Sequence, residues 1–125
     1  MPSVQSWVLD NGLSSFKSNA DKIYINSQEP TDFTGATSTY ALGNKNFGAG
    51  AALTGPANGS PNGRKVTTVA VTDGAVSGSG TAANWSIVDS VNSRLLASGN
   101  LSASQVVTSG NIFTLGAFDI RLPSQ

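Results

Sequence analysis

The chain contains neither histidine nor cysteine, so acid–base chemistry falls to seven carboxylates: Asp10, Asp21, Glu29, Asp32, Asp73, Asp89 and Asp119. Hydrolysis by a carboxylate pair requires two of them about 5–10 Å apart across a substrate cleft. Asp73, in "TDG", and Asp89, in "DSVNS", fall at predicted turns, where an aspartate accepts hydrogen bonds from its own nearby backbone. Asp119 stands beside Ile120 and Arg121 in a strand-like segment and reads as an exposed or paired strand residue. Without histidine or cysteine there is no Ser-His-Asp or Cys-His nucleophile, no zinc site built on those ligands and no disulfide framework. Neither a catalytic residue nor a metal ligand emerges from the sequence, and the remaining enzymatic alternative is a small hydrolase built on carboxylates.

Two glycine clusters test for phosphate binding. "GAGAALTG" (48–55) carries the first two glycines of a dinucleotide fingerprint but lacks the third and the strand–turn–helix context. "SGSG" (77–80) lies between strand-like segments, has no following lysine, and offers Ser79 no base. Both read as turns or bulges, and no cofactor is expected. Asn58, Asn84 and Asn100 begin N-x-S triplets, which an Asn- and Ser-rich chain produces by chance.

Charged residues make up 11% of the 125, well below the usual quarter or so, while 38% are hydrophobic, enough for one core. Seven basic and seven acidic side chains cancel and form no basic patch, so no nucleic-acid partner is expected. No apolar run approaches the ~20 residues that span a bilayer, and the N-terminus shows no secretory pattern. These features predict a soluble protein synthesised in the cytoplasm, without a membrane partner.

Periodicity supplies the elements. Leu9, Leu13, Phe16 and Ala20 form one helical stripe, with Ser3 or Ser6 as cap and Gly12 costing about 1 kcal/mol. After Asp21 the period becomes two: "KIYINS" (22–27) sets Ile23 and Ile25 on one face and Tyr24 on the other. A strand is expected at 37–42, a loop or wide turn at 52–64, and a strand at 64–71 ending in the turn "TDG". The stretch 75–89 becomes a strand after a glycine-rich interruption, "DSVNS" turns the chain, 94–99 returns, and a Ser-rich excursion follows. Residues 111–122, apolar on both faces, read as one central strand covered on both sides. The expected architecture is mainly β, an antiparallel β-sandwich or barrel-like domain over 21–125, preceded by a short N-terminal helix or arm over 1–20.

Trp7 and Trp85 read as core or interface anchors. The segment around Trp7 and the loop from Gly55 to Arg64 are the parts least explained by one closed core. They supply the candidate protein-contact residues Trp7, Phe16, Asn58, Asn62 and Arg64. If the first segment is an arm, a chain lacking residues 1–18 folds but assembles poorly; if it is core, that deletion unfolds the domain.

Six stretches carry a family resemblance: "ADKIYINSQEPT", "TSTYALGNK", "SPNGRKVT", "AVTDG", "W-x-IVDSVNSRLLASG-x-L" and "VTSGNIFTLGAFDI". Together they span about residues 20 to 122 and resemble small virion structural proteins of tailed bacteriophages. The likeness is one of whole pattern and brings no site motif. It implies a capsid decoration (cement) protein, homo-oligomeric, with the major capsid protein as partner, located on the virion surface. The alternative it leaves is a tail or fibre-associated protein that binds a host receptor or glycan.

Overall fold

The computed structural model describes residues 5–59 and 63–122. Helix α1 (Ser6–Asn19) precedes strands β1 (Lys22–Asn26), β2 (Ala41–Asn46), β3 (Leu53–Asn58), β4 (Arg64–Thr68), β5 (Val71–Val76), β6 (Gly80–Asp89), β7 (Arg94–Val107), β8 (Ile112–Leu115) and β9 (Asp119–Leu122). A π-helical turn, Gly35–Thr39, lies between β1 and β2. The fold is mainly β with antiparallel sheets and one short N-terminal helix, in accord with the strand spacing. One sheet has six strands in the order β7-β6-β1-β2-β5-β8 and curls into a half-barrel; the other has three, β3-β4-β9.

Alternation in β1 sets the two sides of the large sheet. Ile23 and Ile25 enter the main core with Leu42, Val76, Ile87 and Phe113, joined by Leu53 and Val66 from the small sheet. Tyr24 points the other way and packs with Ala36 and Val88 in a second cluster. β1 pairs with β2 on one edge and with β6 on the other, and the two clusters cover its two faces. Burial, and then the nearby Asp21 charge, raise the Tyr24 hydroxyl above its ordinary pKa. Leu13 and Ala20 bring the helical stripe into the main core, Leu9 is buried, and Phe16 packs partly buried against the same cluster. The helix begins at Gln5, whose side chain makes no cap bond; Ser6 is its first helical residue, and Ser3 lies outside the described residues.

A polar tie fixes the π-helical turn to the sheet. Ser86 on β6 donates to Asn26 Oδ1 at 2.7 Å, and Asn26 Nδ2 donates to the Ala36 carbonyl at 2.8 Å, all in the interior. The expected strand at 37–42 is corrected here: residues 37–39 belong to this turn. Asn26 ties Ala36, Thr37 Oγ1 donates back to the Phe33 carbonyl at 2.8 Å, and the strand starts at Ala41.

Four other expectations are corrected. Much of 52–64 is strand rather than loop: β3 and β4 pair antiparallel, with Gly55 at φ 116° in the bulge between Thr54 and Ala57. The segment "TDG" lies inside β5 instead of turning the chain, because Gly74 pairs with Phe113 of β8. A Cβ at Gly74 would stand 2.2 Å from the Phe113 ring, so glycine is required for packing there. The Ser-rich stretch continues β7 to Val107, with Leu101–Ser104 bulged opposite Ala83. Finally, 111–122 is not one central strand. It divides at Gly116–Phe118, so that β8 forms an edge of the large sheet and β9 an edge of the small one.

Candidate protein-contact site

Each of the six aspartates accepts hydrogen bonds within the fold. Asp89, at the end of β6 with its side chain 2% exposed, accepts from the Val91 and Asn92 amides, from Asn92 Nδ2 at 2.9 Å and from Arg94 Nη2 at 2.9 Å. The Asn92 side-chain bond and then that of Arg94 hold its pKa below the ordinary carboxylate value. Asp21 accepts from the Ser90 amide at 3.0 Å and from its hydroxyl, tying the start of β1 to the β6–β7 turn. Asp119 accepts from Thr67 Oγ1 at 2.6 Å and from Lys65 Nζ at 3.0 Å, and these two bonds, Thr67 first, lower its pKa. Asp32 caps the Gly35 amide at 2.7 Å. Asp73, expected at a turn, sits within β5 and pairs with Lys45 at 2.9 Å. These carboxylates organise turns and strand pairs.

The sixth aspartate, Asp10, builds a surface. Arg64, first residue of β4, donates from Nε to Asp10 Oδ1 of α1 at 2.6 Å and from Nη1 to Asn58 Oδ1 at the end of β3. Asn58 and Arg64 are also backbone partners in the β3–β4 ladder. Trp7 precedes Asp10 by three residues on the helix, a spacing that makes them surface neighbours. The structure thus joins Asn58 to Asp10 through Arg64, with Trp7 one turn before Asp10 on the helix. Trp7 is 75% exposed, and Val8 beside it is exposed as well. Phe16 packs within the chain, against the main core. Asn62 lies outside the described residues.

A second surface takes in part of the low-charge, Ser-rich stretch 85–110, which reads in the sequence as a sheet face packed against other protein. The half-barrel brings its two outer strands, β7 and β8, onto one open groove of about 670 Å³. Ile25, Trp85, Phe113 and Phe118 line it, the Trp85 and Phe118 rings meeting at 4.6 Å and 46°. Gly99 on β7 leaves room for the indole: a Cβ there would lie 2.7 Å from Trp85 Cζ2. From Leu95 to Ala117 and Phe118 the chain carries no charged residue. At the far end of the two strands Val106 is 82% and Ile112 67% exposed, and both border a smaller cleft. The signal in the sequence was the absence of charge, which periodicity does not register.

Comparison with known protein families, curated proteins and solved structures finds no match to this chain.

Proposed function

We propose that the protein is a non-enzymatic virion structural protein, a capsid decoration (cement) protein that binds the outer surface of a shell of major capsid protein. The observation that carries the docking role is Trp7, a largely exposed tryptophan on a helix whose other face is anchored in the core. Tryptophan and arginine are enriched among residues that dominate binding energy, and burying an aromatic ring at an interface removes a large apolar area from water. The Asp10–Arg64–Asn58 contacts hold the helix against the β3–β4 hairpin, so little order has to be imposed when the ring is buried by a partner. The virion setting rests on the resemblance of six stretches to tailed-phage structural proteins. On a shell, one body touching several fixed subunits gains avidity from contacts that are individually weak.

The test is co-sedimentation with expanded, empty heads, comparing the parent chain with Trp7→Ala. The reading expects Trp7→Ala to keep its thermal transition and bind heads at least about 30-fold more weakly, the loss of one interface anchor. Equal binding by the two proteins removes Trp7 from the contact.

A further inference from the structure

We infer that the groove between β7 and β8 is a binding site for one small, uncharged, mostly apolar molecule built on flat aromatic rings. At about 670 Å³ it falls within the roughly 300–1,000 Å³ of small-molecule sites, which recur in the mouths of β-barrels. The groove is a cleft that reaches the interior. Ile25 and Phe113, 3% and 5% exposed, belong to the main core and also line the groove. Trp85, Leu101, Val107 and Leu115 line it too, and pack against that core only in part. The large sheet stops at β7 and β8, so this side of the core stays unsealed. An apolar molecule seated there takes those half-covered faces out of water.

The lining selects the chemistry of the occupant. Among the described residues no lysine or arginine borders the groove, so an entering phosphate, sulfonate or carboxylate loses water and gains no counter-charge. Asp119 is the one charged residue of that lining, and Thr67 and Lys65 already hold its two oxygens. A cation therefore meets a carboxylate that is spoken for. Rings suit the floor: Trp85 and Phe118 meet at a tilt of 46°, Phe113 is the third aromatic of the lining, and a further flat ring extends such packing. Asn100 and Gln105 bring two side-chain amides to orient the ligand. Asn84 donates to Asn100 Oδ1 at 2.7 Å, which leaves the Asn100 amide hydrogens for an acceptor atom on the ligand. The inference is independent of head docking, which uses Trp7 on α1.

A matched pair of fluorescent probes tests it: N-phenylnaphthylamine, which is neutral, and anilinonaphthalenesulfonate, the same rings carrying one negative charge. Titration of the full chain is expected to show one neutral probe bound per chain, with the sulfonate at least about tenfold weaker. In the Trp7→Phe chain Trp85 is the only tryptophan, and its emission should fall by energy transfer as the neutral probe binds. Ala103→Lys and Ala117→Lys each put a cation at an exposed position of the lining, and should shift the preference toward the sulfonate at least about tenfold with an unchanged thermal transition. Val91→Lys, on the exposed β6–β7 turn, is the control that keeps the parent's preference. Failure of the neutral probe to bind would overturn the inference, as would equal binding of both probes, which marks an apolar surface without selection. So would neutral-probe binding that leaves Trp85 emission unchanged, or lysine variants in the groove that both keep the parent's preference.

Discussion

Arg64 donates to Asp10 at 2.6 Å, joining strand β4 to helix α1 across 54 residues of sequence. Both side chains keep partial contact with solvent, so the pair contributes about 0–1 kcal/mol. Its role is to fix where the helix end and Trp7 stand. Arg64→Ala should therefore lower stability by no more than about 1 kcal/mol in urea unfolding while weakening head binding.

Attachment of the helix rests instead on its buried stripe. Leu13→Ala should cost about 2–5 kcal/mol, and Trp7→Ala should stay within about 0.5 kcal/mol, both read from urea unfolding. A chain lacking residues 1–18 loses Leu9 and Leu13 from the interior and should fail to show a cooperative transition. A folded deletion chain would return the helix to the status of an arm.

Ser86 and Asn26 form the second structural dependence. Ser86→Ala leaves Asn26 Oδ1 buried without its donor, and should cost about 1–3 kcal/mol. Asn26→Ala strands both the Ser86 hydroxyl and the Ala36 carbonyl and should cost more than Ser86→Ala. Chemical denaturation of the two variants reads the order; equal or inverted costs would mean that the turn at 35–39 does not depend on this tie.

What the sequence made legible were features set by local periodicity. The Leu9–Leu13–Phe16–Ala20 stripe and the Ile23–Tyr24–Ile25 alternation both appear in the fold because each needs only its own neighbours and a core to face. Distant partners account for the rest. The run at 37–40 looks like a strand, yet Asn26 ties Ala36 just before it and Thr37 bonds back to Phe33; "TDG" looks like a turn until Phe113 lies over Gly74. Gly55 and Pro56 read as loop punctuation, yet a bulge accommodates them within β3. The chain crosses between sheets at Gly116–Phe118, where both faces are apolar and no local signal marks the crossing. Of the contact residues, Trp7, Asn58 and Arg64 were legible as unexplained surface, whereas Asp10, the partner of Arg64, read only as one carboxylate among seven.

Acid should loosen the β6–β7 hairpin. Asp89 has a folded-state pKa below its unfolded value near 3.9, so its contribution is present above that value and fades as pH falls through the folded pKa. Asp119 acts in the same direction through Thr67 and Lys65. Asp89→Asn should melt at a lower temperature than the parent at pH 7, and the gap should close as pH drops below about 3.9. A gap independent of pH would locate the effect in packing instead of charge.

The central claim, that this is a capsid decoration protein, is tested most directly by adding the purified chain to expanded, empty heads that lack it and measuring bound copies per head. The account predicts saturable binding at a stoichiometry fixed by the capsid lattice, together with heads that resist heating better when coated. No binding to heads, or binding to host envelopes in its place, would contradict it.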